Sequence, residues 1–328
     1  MANYILRRLT MLVPLLILIS MISFFIIQLP PGSFVETYIQ NLQRQGYQAD
    51  QNEIQRLKVR YGLDKPMYMQ YLIWIKNIVF KGDFGRSFTY DRPVSEILAE
   101  RIPMTMVITL LAMVVQWLIS VPIGIYSAVK QYSVIDYIAT FIGFIGVALP
   151  NFLFALVLMY VVYVKTGWAV LGIFSPEFID APWSLAKLLD MLKNLWLPLV
   201  VIATAGTAGL IRTLRATLLD EIKKQYVVTA RAKGMKEWKL ILKYPVRVAM
   251  NPLISTIGWM LPALVGGELV VSQVLNLKTV GPVMLEAVQS EDMYLAGGVI
   301  LILSCLTIIG TLISDLLLAW TDPKIRYD

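Results

Sequence analysis

Uncharged apolar runs as long as a bilayer is thick recur along this chain, and they decide what it folds into. Leu9 to Leu29 is 21 residues without a charge. At about 1.5 Å of helix per residue, that covers a hydrocarbon core of about 30 Å. Inside such a core every backbone amide and carbonyl must be satisfied by the chain itself, so runs of this kind fold as helices. Further spans are predicted over Ile102–Val129, Tyr137–Val164, Asn194–Ile211, Val248–Val274 and Met293–Leu318. Hydrophobic residues make up 57% of the sequence and charged residues 16%. With a mean hydropathy of +0.66, that is the composition of an all-α integral membrane protein.

The charges at the span ends set the orientation. Arg7 and Arg8 precede the first run, Lys130–Asp136 forms a short inner loop, and Lys324 and Arg326 close the chain. Excess Lys and Arg mark cytoplasmic loops, so six spans with both termini inside satisfy the bias throughout. The net charge of +7 is therefore topological, and a nucleic-acid partner is not called for. The first run exceeds a secretory h-region, and Pro30-Pro31-Gly32 stands where a cleavage site would lie. It is read as a retained anchor.

Four segments follow from this pattern. Residues 1–29 are the inner end and first span, and 30–101 an extracytoplasmic insert. Residues 102–320 form a five-helix core holding a polar loop at 220–247, and 321–328 a cytoplasmic tail. Within the insert, Asp50 and Glu53 make a capping box for a helix that Gly62 ends before Pro66. Pro66–Phe80, rich in Met, Tyr, Ile and Trp74, is expected at the membrane face or packed on helix ends. Gly82-Asp83-Phe84-Gly85 is turn chemistry, and Pro93 opens a short helix through Glu100-Arg101 before the second span. In the third span, Gly143, Gly146 and Pro150 are close-packing and kinking positions.

The loop between the fourth and fifth spans reads KKQYVVTARAKGMKEWKLILKYPVR over Lys223–Arg247. From Arg212 to Arg247 ten basic residues face Asp220, Glu221 and Glu237. Charge alone explains this as a loop that fixes topology. Its order adds a second reading. Ala230 and Ala232 favour helix, Gly234 offers a left-handed stop, and a second helical run begins near Glu237. A helix, a glycine break and a helix outside the bilayer form a knob suited to a groove on a soluble partner.

Catalytic chemistry finds little material. The sequence has no histidine and one cysteine, Cys305, in an apolar run, so imidazole catalysis, imidazole metal sites and intrachain disulfides are excluded. There is no phosphate-binding glycine loop and no metal-ligand cluster. Glu268 lies about 30 Å along the fifth span from Val248 and is read either as hydrated anchoring or as a pathway carboxylate. Asp315, near the inner end of the sixth span, is read chiefly as anchoring. A stand-alone secondary transporter or channel would call for ionisable groups at mid-membrane or broken helices at repeat positions. Neither is evident.

Taken in order, the motifs resemble one family. Tyr4-Ile5-Leu6-Arg7-Arg8-Leu9, Tyr61-Gly62-Leu63-Asp64-Lys65-Pro66, Gly82-Asp83-Phe84-Gly85-Arg86-Ser87, Arg92-Pro93-Val94-Ser95-Glu96 and Glu100-Arg101-Ile102-Pro103 occur in sequence. Tyr226-Val227-Val228-Thr229-Ala230-Arg231-Ala232-Lys233-Gly234 and Asp322-Pro323-Lys324-Ile325-Arg326 follow. This nearly full-length pattern is similar to the first of the two paired permeases of bacterial dipeptide/oligopeptide ABC importers. Two departures stand out. Val228, Thr229 and Ala230 replace the Glu-Ala-Ala that opens the general importer loop, and Leu277–Pro282 lacks the usual Pro-Gly pair.

The resemblance implies a type I importer permease with a coupling helix between spans four and five. Thr229, Ala230, Arg231, Ala232, Lys233, Gly234 and Met235 would contact the ATPases. The implied partners are a second homologous permease, two ATPase subunits carrying ATP and Mg, an extracytoplasmic solute-binding protein and membrane lipid. This chain would hold no cofactor and would not be an enzyme. Within the resemblance, oligosaccharides or nickel are alternative cargoes.

Overall fold

The computed structural model describes residues 2–28, 59, 64–87, 89–267 and 269–321. It is almost wholly helical, in keeping with the composition, with one two-residue hairpin. The chain divides into two units. One comprises Met1–Ile5, Thr105–Lys278 and Thr307–Asp328, the other Leu6–Met104 and Thr279–Leu306. The capping box at Asp50 and Glu53 and the stop at Gly62 lie outside the described residues.

In the second unit, α1 (Ala2–Ile27) carries Pro14 without interruption. Helix α2 (Met67–Lys81) starts after Pro66, whose fixed φ suits a helix entrance, and ends at Gly82 with φ 63°. There the amides of Gly82 and Asp83 close back on Ile78 and Asn77 at 3.0 and 3.1 Å, the glycine-terminated pattern that satisfies late carbonyls. Trp74 on the inner face of α2 packs against Phe24 of α1, and the Tyr71 hydroxyl meets Ser20 Oγ at 2.8 Å. A hairpin follows, β1 (Arg86–Ser87) against β2 (Arg92–Pro93), in register Arg86↔Pro93. Phe24, Ile27, Trp74, Val94, Ile97, Leu98, Val283, Tyr294 and Leu295 form the core of this unit.

The predicted separate helix from Pro93 to Arg101 does not exist as such: α3 runs unbroken from Val94 to Val129. Pro103 falls inside it, because Val94, Ile97 and Leu98 on one side of the proline and Ile108 and Ala112 on the other are all buried. Tertiary burial here outweighs the loss of one backbone bond.

The third predicted span is not one kinked helix. It is α4 (Val134–Ala148) and α5 (Asn151–Thr166), which meet at 103°. Leu149 before Pro150 is extended, with ψ 125°, as the proline ring demands of its predecessor. The predicted fourth span is only the middle of α6 (Leu185–Ile222), a 38-residue helix. The loop helices are α7 (Gln225–Ala232), α8 (Glu237–Lys243) and α9 (Pro245–Ala249). The predicted fifth span is likewise divided, between α9 and the helical stretch after Met250, described as α10 (Asn251–Gly267) and, on the far side of residue 268, as α11 (Leu269–Val274). Helix α12 (Val280–Gln289) and α13 (Met293–Thr321) end the described chain. Among the described residues, three helices are long and apolar enough to cross a membrane, or five if each bent pair is one span.

Candidate functional site

The loop between α6 and α10 is a packed body. On α7, Val227 and Ala230 turn inward, three residues apart on one helical face. They meet Leu214 and Leu218 of α6, Leu240 and Ile241 of α8, Val246 and Ala249 of α9 and Leu253 of α10 in one buried cluster. Fully burying a valine, leucine or isoleucine away from water stabilises by about 1.5–3 kcal/mol. Thr217 Oγ1 of α6 also donates to the Ala249 carbonyl at 3.1 Å. Helix α7 is thus joined to α6 and α10 through one packed cluster.

Gly234 ends the first loop helix as the sequence predicts, with φ +76°. Its amide donates to Arg231 O at 3.0 Å and that of Lys233 to Thr229 O at 3.1 Å. A Cβ built on Gly234 would meet nothing within 4 Å, so the requirement for glycine is conformational and not a matter of space. Across the turn Arg231 Nη2 and Nε reach Glu237 at 2.6 and 3.1 Å. The guanidinium holds the Glu237 carboxyl below its ordinary range. Both side chains are about half exposed, so solvent screens the pair. It orients more than it stabilises.

Of the predicted contact residues, the structure leaves Thr229, Arg231, Ala232, Lys233 and Gly234 exposed, Met235 half-buried and Ala230 in the core. Ala230 therefore supports the helix from behind. Tyr226 joins the exposed face, and its hydroxyl donates to Glu221 Oε2 at 2.6 Å. Burial and then that carboxylate push its pKa up.

Three polar clusters went unmarked in the sequence. The first is Gln116, a 1% exposed residue at mid-length of α3. Helix α6 bends by 50° between Thr204 and Gly206. With its amide oxygen turned toward the bend, Gln116 accepts from the Gly206 and Thr207 amides at 3.1 Å each. Ser120, one turn on, donates to Thr207 O at 3.3 Å. A side chain inserted into the helical ladder is a recognised cause of kinking.

The second is Asp136 of α4. It accepts from Arg215 Nε and Nη2 of α6 at 3.1 and 3.0 Å and from Tyr132 N at 3.0 Å. This paired, hydrogen-bonded carboxylate fixes the Lys130–Asp136 loop to α6.

The third is Asp292, fully buried before α13. It receives Ser87 Oγ at 2.5 Å, Thr89 N at 3.2 Å and Leu295 N at 3.3 Å. Burial pushes its carboxyl up from 3.8, against the pull of those donors. Nearby, Tyr90 donates to Glu286, and burial followed by that carboxylate raises the phenol to about 12. The Ser290-Glu291-Asp292 run ahead of an apolar stretch was the available capping signal. Glu268 lies outside the described residues, and Asp315 is half-buried on α13.

Comparison with known proteins covers nearly the whole chain. Residues 120–327 match the family described as binding-protein-dependent transport system inner membrane component. Residues 1–109 match the N-terminal part of such membrane components. The oligopeptide transport system permease protein AppB of Bacillus subtilis (strain 168) is 37% identical, over 100% of both chains. A putative peptide permease protein of Brucella suis biovar 1 is 31% identical over 99% of both. The dipeptide transport system permease protein DppB of Alkalihalophilus pseudofirmus is 29% identical over 100% of both.

Proposed function

This chain belongs to the family of inner membrane components of binding-protein-dependent transport systems, and we propose that it forms half of the translocation pathway of an ATP-driven peptide importer. Full-length similarity to proteins named as oligopeptide and dipeptide permeases carries the cargo class. The packed α7–α8 body supports the drive: it has the solidity needed to convert movement of a docked partner into movement of α6 and α10.

The proposed assembly has this chain beside a second homologous permease, with two ATPase subunits on the inner side and an extracytoplasmic binding protein outside. The chain crosses the membrane six times, as α1, α3, α4 with α5, α6, α10 with α11, and α13, with both ends inside. ATP and Mg reside on the partner ATPases. Tyr226, Thr229, Arg231, Ala232, Lys233 and Gly234 face them, while Glu268 lines the outer part of the pathway.

In physical terms ATP binds the closed ATPase pair more tightly than the open one, and that difference in affinity shifts the permease pair between inward- and outward-facing states. The loop transmits the shift as a rigid body, and hydrolysis with product release restores the first state. Acid–base chemistry in this chain has no part in the cycle.

Uptake of labelled di- and oligopeptides by cells with and without this chain tests the reading. Loss of peptide uptake on deletion, restored by the intact chain, is the expected result. Peptide uptake unaffected by deletion, with loss of oligosaccharide or nickel uptake instead, would replace the cargo. Specific ATP binding by the purified chain freed of its ATPases would overturn the division of labour.

A further inference from the structure

The outward face of α8 is unlike the rest of the loop. Leu240 and Ile241 anchor this short helix in the buried cluster. Opposite them Trp238 is 61% and Leu242 52% exposed. These two lie four residues apart and so form one stripe along the helix. Lys239 and Lys243, also exposed, form a second stripe about 100° around it. Each lysine sits by an aromatic ring, Lys239 Nζ 5.5 Å from the Trp238 ring and Lys243 Nζ 5.5 Å from the Tyr244 ring.

Within α7 itself the one charge, Arg231, is already paired. Glu237 is engaged by Arg231. Among the described residues, Lys236, Lys239 and Lys243 have no carboxylate partner. Position matters as well. Helix α8 leads to α10 through the short α9, whose Pro245, Val246 and Ala249 are buried. It is thus held beside the entrance of a predicted span.

We propose that the Trp238/Leu242 and Lys239/Lys243 stripes of α8 form a lipid-surface anchor that takes the phosphates of anionic headgroups. An indole and a leucine beside lysines, next to a membrane span, match the chemistry of the headgroup boundary. The rings and the leucine enter the outer acyl region while the lysine stems extend along it to reach phosphate. Basic residues beside a span bind anionic lipid with about fivefold in affinity for each lysine, from about 1 kcal/mol apiece. The loop would then pivot on the bilayer surface at α8 while α7 follows the ATPases. Contact with lipid is independent of the function proposed above. Only its assignment to the inner leaflet rests on that reading.

The test uses the whole transporter, reconstituted in phosphatidylcholine bilayers with and without phosphatidylglycerol. In a Cys305→Ser background, Trp238→Cys carries an environment-sensitive dye. Quenching by lipids bearing a shallow nitroxide is expected. Lys239→Gln with Lys243→Gln should lower retention of phosphatidylglycerol by about 25-fold in affinity, while ATPases still co-purify. Absent lipid quenching, with shielding from aqueous iodide only when ATPases are bound, would assign the face to those subunits and overturn the proposal. Lipid quenching with equal phosphatidylglycerol retention by both proteins would overturn its anionic part. Labelling of a cysteine at Lys236 from outside intact cells would instead overturn the orientation alone.

Discussion

The amide of Gln116 occupies the space that a side chain at position 206 would need. A Cβ placed on Gly206 would come within 1.8 Å of the Gln116 amide. Glutamine and glycine are therefore a matched pair, holding α3 against the bend of α6. Apolar surroundings make that amide the partner by which two helical N–H groups are satisfied.

Replacing Gln116 by leucine keeps the volume and removes the acceptor. Each stranded amide then costs about 1–3 kcal/mol. We expect Gln116→Leu to lower the melting temperature of the purified complex and to reduce uptake at normal abundance. Gly206→Ala should do the same by collision. An unchanged melting temperature in both variants would mean the bend is indifferent to this contact.

At Gly234 the open surroundings make the outcome graded. Alanine adds only left-handed strain of about 1 kcal/mol, and we expect it to retain most uptake. Valine adds the stiffness of a branched Cβ and should abolish uptake while insertion stays normal. ATP hydrolysis should then become insensitive to loaded binding protein, or the ATPases should be lost on purification. Lys236→Ala serves as the control for charge. Normal uptake by Gly234→Val would leave the loop with a topological role alone.

Orientation has a direct measurement. Cysteines introduced at Gln43 and Gln55 should react with an impermeant reagent in intact cells, and one at Lys236 should be protected until the membrane is opened. The reverse pattern would invert every span.

Asp292 makes stability depend on pH with a definite sign. Its folded pKa is raised by burial, so the folded state favours the proton more than the unfolded chain does. That contribution is fully present below the unfolded value and fades as pH rises through the folded one. Resistance of the hairpin region to protease should therefore decline as pH climbs from the ordinary carboxylate value. Asp292→Asn, which stays neutral, should flatten the profile. Asp292→Ala should weaken the region at all pH values by about 1–3 kcal/mol through its stranded donors. Resistance that increases over the same interval would contradict the sign.

What could be read from the sequence was local. Long apolar runs locate α1 and α13, and Ala230, Ala232 and Gly234 give α7 and its stop without reference to anything distant. Pro150 was legible as a breaking position, but the 103° turn there was not, since Leu149 only had to leave the helical region. Pro103 was misleading, because whether a helix continues through a proline depends on what it packs against. The bend of α6 is not at Pro198 but eight residues beyond, where a glutamine from another helix meets it. The ion pair of Asp136 with Arg215 and the buried seat of Asp292 join residues 79 and 205 apart, and no periodicity encodes such distances. On the candidate site itself, the helical repeat of about 3.6 residues puts Ala230 on the buried side with Val227, and Thr229 and Arg231 on the exposed side, but motif resemblance alone had placed all three at the partner surface.

The bond from Ser87 to Asp292 also sets a schedule for synthesis. Translation proceeds at about 5–20 residues per second, so Ser87 is synthesised about 10–40 s before its acceptor exists. Four predicted spans are inserted in that interval while the hairpin stands without its seat. A nascent chain stalled before Asp292 should thus expose the Arg86–Pro93 turn to protease, and release of the completed chain should protect it.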